Sequence, residues 1–263
     1  MSLLRVENLG ISFGGIRAVD DVSFNVKPGE IFSIIGPNGA GKTSLFNVVS
    51  GLYRSSDGRV FLDGQDITNL RPSALARLGM SRTFQNLQVF HRMTVLENVM
   101  TGRHRHENRS VLAHLLRGPA TRAQERRTRD VALACLARVH LSGDAEESAG
   151  SLSYGAMKRL EIARALATEP RLLLLDEPAA GCNAAETAEI DRLLLEIADD
   201  GIAIVLIEHD MKLVMGISGR VLVMVEGRVL VEGVPDEVAR DPHVIEAYLG
   251  GGAAGADARR AHA

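Results

Sequence analysis

Cysteine is scarce in this sequence, and long apolar stretches are missing. The two cysteines, Cys135 and Cys182, are far apart, and neither lies in a CxxC pair or beside a Cys/His cluster. This spacing argues against a disulfide framework and against a zinc site, and it fits a reducing cytoplasm. Because no apolar stretch approaches the roughly 20 residues of a membrane-spanning helix, we expect that the chain does not cross a membrane.

Strong charge of either sign is also missing. The formal net charge is −3, with 46% hydrophobic and 24% charged residues, which is typical of a soluble globular protein. This balance does not require a nucleic-acid partner, and we expect none. The opening residues MSLLRVENLG lack the basic segment and apolar core of a secretory signal. A chain of 263 residues has the length of one large domain or of one domain with an insertion.

Short apolar segments without strict alternation predict the centre of the fold. Such segments are typical of strands that are buried on both faces of a parallel sheet. The predicted strands are Ile31–Ile35, Leu172–Asp176 and Ile202–Glu208. The helices predicted after them are Thr43–Ser50, Ala184–Ala198 and His209–Met215. This alternation predicts an α/β fold with a mostly parallel sheet.

The regions around this core have a different character. The segments RVENLGISF and VSFNVKPGE predict an N-terminal antiparallel β subdomain. Between Gln85 and Ser153 the apolar residues recur at helical spacing, which predicts a helical insertion. The segment RVLVMVEGRVLVEG predicts a hairpin that turns at Glu226 and Gly227. We expect one domain over 1–250 with a helical subdomain at about 87–166, and a disordered tail over 251–263.

A glycine-rich loop follows the first buried strand. The stretch GPNGAGKTS from Gly36 to Ser44 contains the P-loop pattern G-x-x-x-x-G-K-[ST] in the strand-to-helix context that this motif requires. The glycines allow successive N–H groups to face phosphate oxygens, and the helix N-terminus adds favourable partial charge. We expect Lys42 to reach the β- and γ-phosphates, Thr43 to bind Mg²⁺ and Ser44 to contact a phosphate oxygen. The motif alone does not choose between a kinase, a GTPase, a motor and a transporter ATPase.

Two adjacent carboxylates end a second predicted strand. In open α/β sheets, ligands gather at the carboxyl ends of the strands, so Asp176 is placed to bind Mg²⁺ directly or to lie just outside its direct ligands. Glu177 is placed to polarise an attacking water, which favours hydrolysis over transfer to an acceptor. The alternative is a strand-terminal pair that caps a turn before Pro178.

The order of five motifs carries a family resemblance. Five motifs follow one another in the sequence: GPNGAGKTS, RTFQN, LSYGAMKRLEIARAL, LLLLDEP and IEHDM. Together they resemble the ATP-binding cassette (ABC) family of transporter ATPases. The resemblance extends over almost the whole chain to Leu249. The segment that begins at Leu152 is specific, because kinases and GTPases lack it, and the guanine-reading pattern NKxD is absent.

The resemblance implies further site residues. Phe13 matches the aromatic residue that stacks on adenine, a contact that contributes about 1–3 kcal/mol, and its alternative is a place in the core. Gln85 matches the loop glutamine that contacts Mg²⁺ and the attacking water, whereas the alternative is an exposed loop residue. His209 matches the histidine that contacts the γ-phosphate, although a lone histidine after a strand is more often structural. Ser153 and Gly155 match the signature positions that face the γ-phosphate held by another subunit, which implies a dimer.

The resemblance thus implies three groups of residues. The expected nucleotide-binding residues are Phe13, Gly36, Asn38, Gly39, Gly41, Lys42, Thr43, Ser44, Ser153 and Gly155. The expected catalytic residues are Glu177, His209 and Gln85. The expected Mg²⁺ ligands are Thr43, Gln85 and Asp176. The expected cofactors are accordingly ATP and Mg²⁺.

Four positions depart from the commonest pattern of the family. Tyr154 and Ala156 lie in the signature, and Cys182 and Asn183 lie in the loop after the carboxylates. Tyr154 and Asn183 agree with the ATPases of branched-chain amino acid uptake systems, which the ending DPHVIEAYLG also resembles. The resemblance therefore implies the ATP-hydrolysing subunit of an importer for these amino acids.

The resemblance also implies partners and a location. The expected partners are separate membrane permeases, a second ATPase subunit that is identical or different, and, indirectly, a periplasmic or extracellular solute-binding protein. The expected location is the cytoplasm, at the inner face of the cell membrane. One alternative is an importer for another small polar solute, such as urea or an amide. The other is a soluble cassette protein that acts on ribosomes or DNA, although such proteins usually have two cassettes or a long coiled-coil insertion.

Arginine is concentrated between Arg103 and Arg129. Because Glu107, Glu125 and Asp130 are interspersed, this stretch is typical of a solvated helical face. Contact with anionic lipid headgroups is an alternative, since a basic residue near a membrane surface gains about 1 kcal/mol. DNA binding ranks third, because no sequence-reading motif is present.

Overall fold

The computed structural model describes residues 2–83, 87–104 and 119–248, except for the side chains of residues 119 and 120. Gln85, the predicted tail at 251–263 and the centre of the arginine-rich stretch lie outside the described residues. The described strands are β1 (Leu4–Phe13), β2 (Ile16–Val26), β3 (Ile31–Ile35), β4 (Asp57–Leu62), β5 (Gln65–Asp66), β6 (Met80–Arg82), β7 (Leu172–Asp176), β8 (Ala203–Ile207), β9 (Arg220–Val225) and β10 (Arg228–Gly233).

Helices connect and cover these strands. The described helices are α1 (Lys42–Val49), α2 (Pro72–Arg77), α3 (Val95–Thr101), α4 (Pro119–Arg138), α5 (Tyr154–Leu166), α6 (Ala184–Asp199), α7 (Met211–Ile217), α8 (Pro235–Val238) and α9 (242–248). Short 3-10 turns at Ser142–Asp144 and Ala149–Ser151 connect α4 to α5.

A six-stranded sheet forms the centre of the molecule, in the order β10-β9-β3-β8-β7-β6. All neighbours pair in parallel except β10, which is antiparallel to β9 at the edge. Every residue of β3, β7 and β8 is buried, as expected for strands covered on both faces. Because these three strands are adjacent and parallel, the loops that follow them meet at one edge of the sheet. The predicted α/β fold with a mostly parallel sheet is confirmed.

A second, antiparallel sheet contains the N-terminal strands in the order β2-β1-β4-β5. The predicted pairing of the first two strands is present, with Leu4 opposite Val26. Three further strands, β4, β5 and β6, were not predicted. Strands β5 and β6 have only two and three residues, and β4 and β6 pair with strands that are distant in sequence. Local alternation therefore gave no sign of them.

The helical part consists of α3, α4 and α5, which pack against one another. Helix α3 begins with a capping box in which the Thr94 side chain accepts from the Glu97 N–H and the Glu97 carboxylate accepts from the Thr94 N–H. Buried side chains such as Val95, Leu136 and Leu160 join these helices to the layer beside the sheet. The helical character predicted for this region is present in its described residues.

Two local expectations are wrong. The helix predicted from His209 begins at Met211, because the Asp210 side chain accepts hydrogen bonds from Lys212 and Leu213 and caps the helix there. Arg103 does not belong to a solvated face, since it is 3% exposed and pairs with Glu169 at 2.8 Å.

The predicted hairpin is present, and its turn reaches the phosphate-binding loop. Glu226 and Gly227 both have positive φ, at 49° and 81°, as a tight two-residue turn between β9 and β10 requires. The Gly227 N–H donates to the Ala40 carbonyl at 3.1 Å, and the Asp20 N–H donates to the Gly227 carbonyl at 2.8 Å. The turn therefore connects the central sheet to both β2 and the loop before α1.

Candidate functional site

The loop between β3 and α1 is built on close backbone contacts. A Cβ on Gly36 would lie 2.1 Å from the Met224 carbonyl oxygen, and one on Gly41 would lie 2.3 Å from the Ala18 carbonyl oxygen. Gly41 also has a left-handed φ of 95° at the N-cap of α1. Glycine is therefore required at both positions. The resulting turn directs the first N–H groups of α1 toward the space in front of the loop.

Lys42 is a buried cation within this loop. Its side-chain nitrogen donates to the carbonyl oxygens of Gly36 at 2.7 Å and Pro37 at 3.0 Å. The residue is 6% exposed, and burial lowers the pKa of Lys42, whereas the nearby charges of Glu177 and Asp176 oppose this shift. The loop thus contains a positive charge that can meet an anion without ordering a flexible side chain.

A cavity of about 280 Å³ lies beside the loop. Its lining residues are Ala18, Asn38, Gly39, Ala40, Gly41, Lys42, Thr43, Ser44, Glu177 and His209. It therefore brings together most of the predicted phosphate-binding residues and two predicted catalytic residues. Because one wall consists of N–H groups and a lysine and the other carries a carboxylate and an imidazole, the cavity suits a group that is both anionic and reactive.

Glu177 and His209 form a pair at the mouth of this cavity. Glu177 lies directly after β7 with a left-handed φ of 50°, and its Oε1 is 2.8 Å from Nε2 of His209. Glu177 is 15% exposed and His209 is 44% exposed at the side chain, so the imidazole faces solvent rather than the core. His209 therefore does not lie in the core, and its contact with a γ-phosphate stays a prediction. A carboxylate held in this way can accept a proton from a water molecule.

Glu208 lies next to His209 and binds the backbone beside this pair. It was not predicted from the sequence. It is 3% exposed and accepts hydrogen bonds from the N–H groups of Ala179 at 3.1 Å and His209 at 3.0 Å. Burial raises the pKa of Glu208, although these N–H groups oppose the shift. The carboxylate thus fastens the loop after β7 to the loop after β8. The signal was present in the motif IEHDM, where an acidic residue ends an apolar strand.

Asp176 is the last residue of β7 and is 3% exposed. Its Oδ2 lies 3.2 Å from Nη2 of Arg82, whose Nη1 also donates to Asn47 at 2.8 Å and Ser50 at 2.6 Å. Burial raises the pKa of Asp176, and Arg82 opposes that shift. Arg82 was not predicted, and it supplies the positive charge that a buried carboxylate needs.

The predicted Mg²⁺ ligands offer suitable chemistry. Thr43 contributes a hydroxyl at the cavity, and Asp176 contributes a carboxylate at the end of β7, which β8 separates from β3. Oxygen donors of this kind are those that Mg²⁺ prefers, together with phosphate oxygens of a substrate. These residues therefore fit Mg²⁺. Gln85, the third predicted ligand, lies outside the described residues.

Phe13 lies at the end of β1 and is 44% exposed. Its ring meets the ring of Tyr53 edge to face, with the ring centroids 5.3 Å apart. The core position that was the alternative for Phe13 is therefore excluded. Its contact with adenine stays a prediction.

Ser153 and Gly155 lie at the start of α5, away from the lining of this cavity. Ser153 is the N-cap, and its Oγ accepts from the Ala156 N–H at 3.2 Å. Oε1 of Glu186 accepts from the Ser153 hydroxyl at 3.3 Å and from the Gly155 N–H at 3.1 Å. The chain itself therefore places a carboxylate on both groups that were predicted to face a γ-phosphate.

Glu186 was not predicted to contact the signature. Its Oε2 accepts from the Asn183 N–H at 3.1 Å, which completes a capping box at the start of α6. The hydrogen bond from Asn183, with those from Gly155 and Ser153, lowers the pKa of Glu186 below its ordinary value. The pattern N-x-x-E could have revealed the capping box, but the contact with Ser153 depends on tertiary packing.

Neither a membrane-spanning helix nor a preformed group of metal-binding side chains occurs in the described residues. In residues 2–83, 87–104 and 119–248 there is no helix with the length and apolar character needed to span a bilayer. The same residues contain no group of three or more His, Cys, Asp and Glu side chains that could hold a metal ion by themselves.

Comparison with known proteins places this geometry in a family. The family model for the ABC transporter matches residues 19–180, and the model for the branched-chain amino acid ATP-binding cassette transporter matches residues 228–254. The chain is 45% identical to the high-affinity branched-chain amino acid transport ATP-binding protein BraF of Pseudomonas aeruginosa over 249 residues, which cover 94% of this chain and 98% of BraF.

Solved structures agree with this placement. The ADP conformation of MJ1267, an ATP-binding cassette of an ABC transporter, superposes with a TM-score of 0.83 at 36% identity, covering 95% of this chain and 99% of MJ1267. The dimeric structure of MJ0796, a bacterial ABC transporter cassette, gives a TM-score of 0.73 at 26% identity, covering 88% and 98% of the two chains. The glycine-rich loop, the carboxylate pair and the signature helix thus belong to an ATPase cassette, and the chain is a member of the ABC transporter family.

Proposed function

We propose that the chain is the Mg²⁺-dependent, ATP-hydrolysing subunit of an importer for branched-chain amino acids. The observation that carries this proposal is the Glu177–His209 pair, with Oε1 and Nε2 2.8 Å apart, in the wall of the cavity that also contains Lys42 and Thr43. A phosphate-binding wall that faces a general base is the arrangement that hydrolysis of a phosphoanhydride needs.

In the proposed complex the loop binds the phosphates of ATP. The N–H groups around Asn38 and Gly39 and the charge of Lys42 contact phosphate oxygens, and Phe13 stacks on adenine. Thr43, Asp176 and Gln85 would hold Mg²⁺, which supplies additional positive charge to the phosphates. Positioning and electrostatic stabilisation account for most of the catalysis in reactions of this type.

Hydrolysis then depends on this chain's own carboxylate. Glu177 orients a water molecule and accepts its proton, while His209 holds the Glu177 carboxylate and contacts the γ-phosphate. The leaving group is ADP, and the attacking oxygen becomes part of inorganic phosphate. Glu177 and His209 already have the geometry of a base and its orienting partner.

ATP is proposed to lie between two cassettes. Ser153 and Gly155 of one cassette approach the γ-phosphate that the other cassette binds, so neither subunit completes the site alone. The dimeric structure of the bacterial ABC transporter cassette MJ0796 supports this arrangement. The second subunit is a copy of this chain or a related ATPase.

The transported solute is proposed from the relatives. BraF is named as a branched-chain amino acid transport protein, and the C-terminal family match at 228–254 has the same description. The chain is proposed to act in the cytoplasm, at the inner face of the membrane, on separate permease subunits. A periplasmic or extracellular solute-binding protein delivers the amino acid, which this chain does not touch.

Substitution of Glu177 tests the proposed reaction. Glu177→Gln is expected to preserve ATP binding and to lower the hydrolysis rate by at least about 100-fold, since removal of a general base typically costs 10²–10⁴-fold. Phosphate release and equilibrium ATP binding are measured on the same preparation, with the exposed Glu196→Gln as the matched control. Hydrolysis at the parental rate in Glu177→Gln would contradict the assignment.

The solute is tested in membrane vesicles that contain the chain with its permeases and solute-binding protein. ATP-dependent uptake of radiolabelled leucine is expected, and uptake of urea at the same concentration is not. Uptake of urea without leucine would replace the proposed solute. Copurification with ribosomes instead of permeases would contradict the role in transport.

A further inference from the structure

Lys158 is a buried cation that the proposed reaction does not use. It lies in the second turn of α5 and is 3% exposed. Among the described residues, it forms no ion pair with a carboxylate within 4.0 Å. Burying an ammonium group is costly unless other groups replace its hydration. The buried ammonium of Lys158 therefore needs a hydrogen-bond acceptor inside the protein.

The partner is the backbone of Glu177. Nζ of Lys158 donates to the Glu177 carbonyl oxygen at 3.3 Å, and the same oxygen accepts from the Ala180 N–H at 3.2 Å. On the other side of the residue, the Glu177 N–H donates to the Ile207 carbonyl at 2.9 Å. Both peptide groups that flank the Glu177 Cα are thus held, one by β8 and the other by α5 and the following turn.

This backbone needs such support. Glu177 has a φ of 50°, and the left-handed region is strained for a residue with a Cβ, because the Cβ lies too close to the following carbonyl oxygen. A residue stays in this conformation only when its surroundings determine it. The direction of the Glu177 side chain toward His209 depends on this φ, because the Cβ follows the backbone. A donor on the Glu177 carbonyl therefore acts on the direction of the carboxylate.

Lys158 is itself fixed by Tyr154, one helical turn earlier. Its Nζ lies 5.8 Å from the centroid of the Tyr154 ring, a distance at which an ammonium is attracted to an aromatic face. The same ring packs on the loop after Glu177, since a Cβ on Gly181 would lie 3.0 Å from it. Tyr154, Lys158 and the loop from Glu177 to Gly181 therefore form one packed unit.

We propose that Lys158 is a positioning residue for hydrolysis, which holds the left-handed backbone of Glu177 so that the carboxylate points at the cavity. The proposal rests on the proposed function, because it assumes that Glu177 is the general base. Lys158 does not touch the nucleotide-binding loop, so its removal acts on turnover and leaves nucleotide affinity unchanged.

The test compares Lys158→Met with Lys158→Gln. Methionine has a similar length and no donor, whereas glutamine keeps an N–H group that can donate to a carbonyl. Lys158→Met is expected to lower kcat at least about 10-fold, because misplacement of a catalytic group by about 1 Å can cost 100-fold. The Kd for ATP is expected to stay within about twofold, and Lys158→Gln is expected to recover at least about a third of the parental kcat.

The exposed Lys27→Met is the matched control, and thermal unfolding checks that each variant folds. A parental kcat in Lys158→Met would overturn the proposal. So would a joint loss of kcat and ATP affinity, or a chain that does not fold, since either result would assign Lys158 to general stability. Failure of Lys158→Gln to recover turnover would also contradict it.

The two proposals fail in different ways. A parental chain that binds but does not hydrolyse ATP when supplied with Mg²⁺ and its partners contradicts the proposed function, and the role of Lys158 falls with it. If the parental chain hydrolyses ATP and the Glu177→Gln variant does not, the proposed function is supported. In that case the Lys158 variants decide the positioning role alone.

Discussion

The loop before α1 and the start of α5 are two helix N-termini that are each proposed to contact a phosphate, yet different groups occupy their surroundings. At the first, the Lys42 ammonium donates hydrogen bonds to two backbone carbonyl oxygens of the loop, those of Gly36 and Pro37. At the second, the carboxylate of Glu186 accepts from Ser153 and Gly155. The loop before α1 therefore contains the positive charge of Lys42, whereas the start of α5 is already bonded to the negative charge of Glu186.

This difference separates two ways of preparing a binding site. The walls of the first loop are backbone atoms of distant strands, such as the Met224 carbonyl next to Gly36, so its shape is fixed before any ligand arrives. The donors at α5 are paired with a side chain that can rotate away. We therefore expect the first loop to be sensitive to geometry and the start of α5 to be sensitive to charge.

The largest effect is expected from adding one methyl group to each site. Gly36→Ala places a Cβ 2.1 Å from a carbonyl oxygen, which we expect to lower the free energy of unfolding by about 3 kcal/mol or to abolish ATP binding. The three atoms nearest to a Cβ on Gly155 all belong to the Glu186 side chain, which can move, so we expect Gly155→Ala to cost less than about 1 kcal/mol. Chemical denaturation measures the free energy of unfolding of both variants. Equal losses in the two variants would remove the distinction.

The next effect concerns the charge inside the first loop. Lys42→Ala is expected to weaken ATP binding about 100-fold, because a charge-assisted hydrogen bond contributes about 1.5–3 kcal/mol. Ser153→Ala is the control, since in a single chain its hydroxyl bonds to Glu186 and not to the loop. Calorimetry on the monomer at low protein concentration measures both affinities. Weaker binding in Ser153→Ala under these conditions would show that the two sites are not independent.

A smaller effect is expected at the start of α5. In a Glu177→Gln background, which is expected to keep ATP bound, Glu186→Gln is expected to strengthen ATP-dependent dimerisation about fivefold. The neutral amide competes less well than a carboxylate for donors that a γ-phosphate would take, and the difference is about 1 kcal/mol. Glutamine can keep the capping contact with Asn183. Analytical ultracentrifugation measures the dimer constant, and a weaker dimer would mean that Glu186 supports the interface.

The smallest effect is a pH dependence. Because hydrogen bonds lower the pKa of Glu186 below 4.5, its contribution to stability is present above that value and is lost as the pH falls through the lower pKa of the folded state. Glu186→Gln is expected to lack this part of the acid sensitivity. Urea unfolding of both proteins between pH 6 and pH 3, roughly the range of carboxylate titration, compares the slopes. Parallel curves would contradict the assignment.

Local sequence patterns predicted the elements that carry the first site. Strands β3, β7 and β8 are apolar segments except at Ser33 and Asp176, because both of their faces are covered. The glycine-lysine motif needs only its own strand and helix for recognition. The same patterns placed Glu177 and His209 directly after two predicted strands, which the structure shows to be adjacent and parallel. Their separation of 2.8 Å could not be predicted, because it depends on the left-handed φ of Glu177 and on the N-cap at Asp210.

What the sequence did not predict is mostly charge compensation between distant residues. Arg82 contacts Asp176, which lies 94 positions away in the sequence, and Glu186 contacts the N-terminus of α5, about 30 positions away. Such pairs follow no local period, and an isolated arginine or glutamate in a sequence is typical of the surface. Lys158 was likewise part of a recognised motif, but only its burial against the Glu177 carbonyl distinguishes it from a solvent-exposed helix residue.

The hairpin turn at Glu226 and Gly227 has a consequence for synthesis of the protein. Because Gly227 donates to Ala40 and the Met224 carbonyl abuts Gly36, the loop acquires its final walls only after these late residues have left the ribosome. A polypeptide interrupted before β9 would carry the entire glycine-lysine motif and still lack a rigid pocket. Prematurely terminated chains should therefore not sequester cellular ATP.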